Sequence, residues 1–294
     1  MSTPPDSLPR FSLEFQGKER EDAGAWHRRT LRLLVQSCAE GQFPCELPPI
    51  PASSPLPAAG QTQLVVLSSA IAQAPGSALI SADAVDLRGL ADTQAGLALA
   101  PDPESAWVVQ AGGAVLGAEA HVQGPPGSRA ETLVRRLEPA LALPPEAFFQ
   151  RYFGQAPPQY RGRAGLSTLD CRGVADCSAA LAERVRAGQA WLWLLGPVHL
   201  RSPLALGSRD SPVLLLCDGA LDIDTGLQLH GLLYSHGATR LHSADVALRV
   251  DGAVISAGPA TLSGRVQIVH SGPLMRRLTE LRGSWVRLPG GWTP

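Results

Sequence analysis

The stretch from residue 212 to 269 constrains the fold of this chain more than any other segment. Apolar residues occupy every second position over short runs, as at Leu221 and Ile223, and glycines interrupt these runs. Alternation with a period of two is typical of β-strands with one buried face, and glycine permits the tight corners that join short strands. The motif DGAL at 218–221 also recurs 33 positions later as DGAV at 251–254.

This spacing predicts a β-solenoid, in which short strands stack on earlier copies of themselves. We expect a mainly β fold: β-solenoid-like stacked strands with a helical insertion and an N-terminal helix. One stack would contain residues 61–124 and 189–270. The four glycines of the repeat should then lie at comparable corners, namely Gly219, Gly231, Gly252 and Gly264. Because two copies are fewer than the three that a solenoid usually needs, a folded-over antiparallel sheet is the alternative.

Composition and charge exclude several classes of protein. The 294 residues include 30 glycines and 26 prolines, which favours turns over long helices. The formal net charge of -1 provides no global field for nucleic acid or an anionic membrane. No run reaches the 18 or more apolar residues of a membrane span, and the N-terminus lacks a secretory apolar region. The chain as given is therefore expected to be soluble.

The order of these patterns predicts two parts. Residues 1–60 are expected to hold an N-terminal helix, at about 19–40, and a proline-rich linker at 47–60. Residues 61–294 are expected to form a β-rich head domain with a helical insertion at about 128–188.

Four helices are predicted in the head. Ser128 and Glu131 form a capping box that would open a helix over RAETLVRRLEPAL. Aromatic residues at helical spacing predict a second helix over 145–154. A third is predicted from 178 to 187, before a glycine, and a fourth over the segment PLMRRLTELRG.

The polar residues of the chain do not form a recognisable active-site motif. His230, His236 and His242 are each six residues apart, but glycines interrupt the spacing and no close cysteine or carboxylate set accompanies them. We interpret them as solvent-facing turn residues. No catalytic, cofactor-binding or metal-binding residue is predicted, and we expect a protein that is not an enzyme.

Three aspartates could suggest a calcium loop. Asp218, Asp222 and Asp224 precede Gly226, but their spacing departs from that of a calcium-binding loop and no acid occupies the position of the twelfth ligand. Polar strand faces and turns account for them, so no cofactor is predicted.

The five cysteines fall as two close pairs and one single residue. Cys171 and Cys177 are separated by five residues that include a glycine, and we predict a disulfide between them. Cys38 and Cys45 are a second candidate pair, and Cys217 lies inside an apolar strand. Local disulfides are typical of exported proteins. Five unrelated buried thiols are the alternative.

Several segments, taken in order, resemble PilX-type pilus assembly proteins, the minor-pilin-like products of Gram-negative type IV pilus gene clusters. The resemblance covers roughly residues 80 to 292 and depends on the order and number of its motifs. These are VDLRG at 85–89, AFFQRYFG at 147–154, LDCRGVADCSAAL at 169–181, LGSRDSPVLLLCDGALDI at 206–223, GLLY at 231–234, DGAVISAG at 251–258 and GSWVRLPGGW at 283–292.

The resemblance implies a non-catalytic structural subunit of type IV pilus assembly that acts through protein–protein contacts. Its partners would be other pilins or pilus assembly proteins, with no nucleic acid. Family members begin with a prepilin leader and a long apolar helix, whereas charged residues occupy 18–22 here, so membrane contact would need a stem not present in this chain. The implied location is the cell envelope or the extracellular space. The alternative is an exported β-solenoid that serves as an adhesin or carbohydrate-binding module.

Overall fold

A computed structural model describes residues 64–91, 96–99, 107–124 and 127–287, together with the short strand Leu34–Val35. The chain divides into two compact units, one of residues 69–283 and one that combines 1–68 with 284–294.

The described strands are β1 (Leu34–Val35), β2 (Leu64–Ser69), β3 (Leu79–Ser81), β4 (Val85–Leu90), β5 (Gly96–Leu99), β6 (Val109–Ala111), β7 (Val115–Leu116), β8 (Val122–Gln123), β9 (Val134–Arg135), β10 (Ser167–Asp170), β11 (Trp191–Leu195), β12 (Val198–Leu200), β13 (Leu204–Leu206), β14 (Val213–Cys217), β15 (Leu221–Asp224), β16 (Leu227–Ser235), β17 (Thr239–Ser256), β18 (Ala260–His270) and β19 (Gly283–Arg287). The helices are α1 (Ala118–His121), α2 (Pro145–Phe153), α3 (Pro157–Arg161), α4 (Ser178–Arg186) and α5 (Gly272–Leu281), and Ala130–Leu133 form a 3-10 turn.

Strands β3 to β18 form one 16-stranded sheet, whereas β1, β2 and β19 form a separate three-stranded sheet. The large sheet is wound into three parallel ladders, so it is a β-helix with three faces. The first face follows the order β10-β11-β14-β16-β17-β3-β6-β9. The second follows β12-β15-β17-β18-β4-β7, and the third β13-β16-β17-β18-β5-β8. The predicted β-solenoid is confirmed, and the parallel pairing rules out the antiparallel alternative.

The order of coils in the stack differs from their order in the sequence. The coil of β3, β4 and β5 packs directly on the last coil, where Leu79 pairs with Val254 and Leu97 with Ile268. From there the chain runs to one end of the stack at β9. Helices α2 and α3 then precede β10, which forms the other end, and the later strands return to the starting coil. The described strands between 79 and 123 and between 189 and 270 therefore contribute to one stack, as predicted. Strand β2, which lies inside the predicted 61–124 block, belongs instead to the three-stranded sheet.

The predicted 33-residue repeat is wrong. Adjacent coils are offset by 18 residues between Asp222 and Arg240, and by 21 between His242 and Ser263. Gly231 and Gly252 do pair with each other, at the corner where the third face meets the first. Gly219 instead follows β14 and precedes the second face, and Gly264 ends the β18 segment that belongs to that face. The four glycines of the apparent repeat thus occupy three different kinds of corner.

The glycines that repeat from coil to coil form a column at the turn between the first and second faces. A Cβ atom added to Gly219 would lie 3.0 Å from the carbonyl carbon of Gly196, and one added to Gly237 would lie 2.9 Å from the backbone nitrogen of Ala220. At Gly258 the added atom would lie 2.9 Å from the carbonyl carbon of Gly237. Such contacts leave no room for a side chain, so the turn sequence is set by the close stacking of backbones.

Two apolar cores hold the unit together. The interior of the β-helix contains mainly leucine and valine, including Leu233 and Val250. A second core lies outside the first face, where residues of α2, α3 and α5 pack on Trp191, Trp193 and neighbouring strand residues. Phe149 is fully buried there, with its ring centroid 5.2 Å from that of Tyr234 and 5.6 Å from that of Trp193.

Three of the four predicted helices of the head are confirmed, as α2, α4 and α5. The helix predicted from the capping box at Ser128 is wrong, because the chain there forms a 3-10 turn and then β9. Leu133 and Val134 are buried at the end of the β-helix, and pairing of β9 with β6 outweighs the local helical signal. The helix predicted at 19–40 lies outside the described residues except for Leu34 and Val35, which form a strand instead. The linker at 47–60 lies outside them altogether.

No helix among the described residues is both long and apolar enough to cross a membrane.

Candidate functional site

The second face of the β-helix carries a row of charged side chains that point away from the core. In β12, β15 and the first five residues of β17, buried residues alternate with outward polar residues, because successive side chains of a strand point to opposite faces. The buried positions are apolar except for Thr239 and Ser243. Parallel stacking then aligns the outer residues of neighbouring coils. We call this set the polar ladder: His199, Arg201, Asp222, Asp224, Arg240 and His242.

Asp222 is the centre of the polar ladder. Its carboxylate accepts hydrogen bonds from Nε of Arg240 at 2.7 Å and Nη2 of Arg240 at 2.9 Å, and also from Nη2 of Arg201. Burial alone would raise the pKa of Asp222, but these bonds and the two positive charges lower it to about 2. Nδ1 of His199 lies 3.5 Å from the same carboxylate. Asp222 therefore stays ionised at neutral pH and joins three neighbouring side chains.

Asp224 extends the polar ladder along the strand. Nη1 of Arg201 lies 3.4 Å from its carboxylate, and Nε2 of His242 lies 3.8 Å from it. Nδ1 of His242 is in turn 2.8 Å from the hydroxyl of Ser263 on the next coil. Charges of both signs thus alternate over the face, and each carboxylate has a cationic or imidazole neighbour.

A smaller cluster of the same kind lies on the third face. The guanidinium of Arg249 donates to Asp251 at 2.7 Å and to the side-chain oxygen of Gln267 at 2.6 Å. Nε2 of His230 lies 3.5 Å from the Asp251 carboxylate. The hydrogen bond to Asp251 is the main reason why the pKa of Arg249 is raised, so the guanidinium of this cluster is held in its charged form.

The predicted disulfide between Cys171 and Cys177 is present, with their Cα atoms 5.8 Å apart. Both sulfurs lie in the interior core, at the coil end that begins with β10. The disulfide closes a loop that connects β10 to α4, and Leu181 of α4 is fully buried against the same core. The loop and α4 therefore cap this end of the β-helix. The candidate pair Cys38 and Cys45 lies outside the described residues.

The capping loop is tied to the polar ladder through one carboxylate. Asp176 accepts hydrogen bonds from the backbone nitrogens of Ser178 and Arg201, each at 3.0 Å, and from the hydroxyl of Ser202 at 2.6 Å. Burial opposes ionisation, but these hydrogen bonds hold the pKa of Asp176 well below its usual range. A small open pocket lies beside the loop and is lined by Gly173, Val174, Ala175, Pro197 and His199.

The histidines considered from the sequence lie in three different places. His230 is on the third face, His242 is in the polar ladder, and His236 follows the first face with Nδ1 3.1 Å from the hydroxyl of Tyr234. Within the described ranges, no group of three or more histidine, cysteine or acidic side chains has a metal-binding arrangement.

The aspartates also separate. Asp218 lies in a turn, 3.5 Å from Arg161, whereas Asp222 and Asp224 belong to the polar ladder. Sequence reasoning did not identify Arg201 and Arg240 as their partners. The sequence does contain a signal for this alignment. A short segment with a polar residue at its second position follows each turn glycine, namely VHL, LDID and TRLH.

No protein-family model matches the chain, and no curated protein matches it. Among solved structures, the chain is similar to a glycosylated ice-binding protein (LeIBP) from an Arctic yeast, with 13% sequence identity and a TM-score of 0.28. The superposition covers 67% of this chain and 91% of the yeast protein. A TM-score this low supports no inference about function.

Proposed function

We propose that this chain is the head of an exported, non-catalytic β-helical protein that works by binding other macromolecules. The observation that carries the proposal is the polar ladder, an outward row of charged side chains fixed on a rigid parallel sheet. Its members are already oriented by their mutual hydrogen bonds, so a partner would meet a surface that loses little conformational entropy on binding. A disulfide is typical of proteins that work in an oxidising compartment outside the cytosol.

The acids with lowered pKa values are suited to accept hydrogen bonds from arginines rather than to donate protons. A general acid must carry a proton near the working pH, which requires a raised pKa. The pKa is instead lowered to about 2 at Asp222 and at Asp170, and it is lowered at Asp86, in each case with an arginine as hydrogen-bond donor. These acids are suited to hold arginines in place.

Pilus assembly proteins are the partner class that the motif resemblance favours. The motif LDCRGVADCSAAL occupies the disulfide-closed cap, and the motif that ends at Ile223 supplies Asp222 of the polar ladder. In this proposal the ladder contacts a pilin or another assembly protein through complementary charges.

Deletion and complementation in the bacterium that encodes the chain test this function. Deletion should reduce surface piliation, and the wild-type gene should restore it. Arg240→Glu should fail to restore it, because it places a like charge against Asp222. Arg265→Glu is the matched control, since Arg265 is exposed and its hydrogen bond within the described residues goes to the backbone oxygen of Asp245. Normal piliation in the deletion strain would refute the pilus role. Rescue by Arg240→Glu would show that the polar ladder does not contact the pilus partner.

A carbohydrate-binding or adhesin role is the second candidate, favoured by the regular spacing of the ladder. Outer side chains on adjacent parallel strands repeat every ~4.8 Å, a regular array of hydrogen-bonding groups that could face a repeating polymer. Retention of the purified protein on a glycan, lost on Arg240→Glu and kept on Arg265→Glu, would favour this role over pilus assembly.

A further inference from the structure

Two arginines near the C-terminal end of α5 converge on the loop between β13 and β14. Nε of Arg277 donates to the backbone oxygen of Asp210 at 3.1 Å. Arg282 donates to the backbone oxygen of Pro212 through Nε at 3.2 Å and Nη2 at 3.1 Å, and to the hydroxyl of Ser211 at 3.1 Å. Both guanidiniums are therefore directed at three consecutive residues. We call this pair the arginine clamp.

The arginine clamp differs from the arginines of the two charged faces because its acceptors are neutral. Arg201 and Arg240 share the carboxylate of Asp222, and Arg249 donates to Asp251. Across the described part of the chain, no carboxylate forms an ion pair with Arg277 or Arg282. Even Asp210 contributes its backbone oxygen rather than its carboxylate.

Burial makes this lack of an anion costly. Arg282 is half-buried, and desolvation lowers its pKa, which means that the surroundings disfavour its charged form. A desolvated guanidinium gains most from an anionic acceptor, and its planar fork suits the two oxygens of a carboxylate or sulfate group. Nη1 of Arg282 and both Nη atoms of Arg277 make no hydrogen bond within the described chain. The exposed Arg209 and the hydroxyl of Ser211 belong to the same loop.

We propose that the arginine clamp binds an oxoanion, a sulfate or carboxylate group, carried by an anionic polysaccharide. A lipid headgroup has related chemistry, but stable membrane contact usually needs four or more clustered basic residues or a large apolar surface. Here the clamp, Arg209 and Arg276 supply four cations, but Asp210 and Glu280 of the same loop and helix leave a formal net charge of +2 (4 − 2), and Leu281 is the exposed large apolar residue of α5. The site lies on α5 and the 207–212 loop, and it depends on neither role proposed for the polar ladder.

The binding test uses the full chain and defined oligosaccharides. A heparin-derived hexasaccharide and a galacturonate hexamer should bind in calorimetric titration, with an affinity that falls as salt rises, whereas a neutral dextran hexamer should not bind. Arg277→Gln/Arg282→Gln should weaken binding by about tenfold or more, since each substitution removes charge-assisted hydrogen bonds to the oxoanion. Arg282→Lys keeps the charge but loses the fork, so a several-fold loss is expected. Arg265→Gln should bind like the wild type.

A second readout keeps the test decisive if the double variant loses its fold. In the wild-type protein, the Nε–H resonances of Arg277 and Arg282 should shift on addition of the oligosaccharide, and inorganic sulfate should shift the same two signals at higher concentration. Binding without these shifts, or an equal loss in Arg265→Gln, would overturn the proposal. So would arginine-dependent binding to phosphatidylglycerol vesicles in the absence of any oligosaccharide binding, which would assign the site to a membrane.

Discussion

The disulfide of the capping loop should stabilise the β-helix by a definite amount. It joins Cys171 to Cys177 with a sequence separation of 6. For so short a loop, the chain-entropy relation gives about 2 kcal/mol of stabilisation at 25 °C. In a unit of this size, about 2 kcal/mol corresponds to a decrease of roughly 4 to 8 °C in the melting temperature. The perturbation is Cys171→Ala/Cys177→Ala, which removes the cross-link and leaves a small apolar residue at each buried position.

Urea denaturation followed by circular dichroism measures the effect. The double variant should unfold at a lower urea concentration than the oxidised wild type, and reductant should destabilise the wild type but leave the variant unchanged. Hydrogen exchange should locate the change at α4 and β10, which this loop connects. Equal unfolding midpoints for the oxidised and reduced wild type would refute the reasoning, because the loop would then contribute nothing to the cap.

Three further predictions, made with four substitutions, test other parts of the structure. Asp222→Asn should cost about 1 to 3 kcal/mol at pH 7, because two arginines lose a charged acceptor. The pKa of Asp222 is about 2 in the folded state, below its ordinary 3.8. Its contribution to folding stability is therefore present above about pH 4 and is lost as the pH falls toward 2. The stability of Asp222→Asn should lack that part of the decline with falling pH. Gly252→Ala should lower the free energy of unfolding by more than about 3 kcal/mol, since its Cβ would lie 1.8 Å from the carbonyl oxygen of Gly231. The control is Gly173→Ala, because Gly173 also has a positive φ but an added Cβ would meet no atom within 4 Å. It should lower the free energy of unfolding by only about 1 to 2 kcal/mol in the same denaturation assay. Phe149→Ala should cost about 3 to 5 kcal/mol in the same denaturation assay and weaken the near-ultraviolet dichroism, because its ring packs on four other aromatic rings.

The sequence is sufficient to predict the class of fold and most of the helices, because these depend on local patterns. Alternation around Leu221 and Ile223 indicates strands with one buried side, and the aromatic spacing of 145–154 indicates α2. The disulfide is also predictable, since five intervening residues bring its cysteines close together along the chain. In each case the residues that carry the signal are near one another in sequence.

The coil period and the chain order are not predictable in this way. DGAL and DGAV share letters by coincidence, since Asp218 lies in a turn and Asp251 in a strand of the third face. No local pattern indicates that β3 packs on β17, because this pairing joins two coils that are far apart in the sequence. The same limit applies to the polar ladder, where Arg201 reaches Asp222 only after stacking brings two coils together.

The most direct test of the central claim is a cross-link between coils that are far apart in sequence. Asp86 of β4 and Thr261 of β18 are register partners on the second face. In Asp86→Cys/Thr261→Cys, mild oxidation should therefore form a disulfide that peptide mapping identifies. In the control His199→Cys/Thr261→Cys, the two positions lie three strand spacings apart on the same face, about 14 Å, which is beyond the reach of a disulfide. A link in the first variant and none in the control is the predicted result. A link in the control, or none between residues 86 and 261, would contradict the proposed stack and the polar ladder that depends on it.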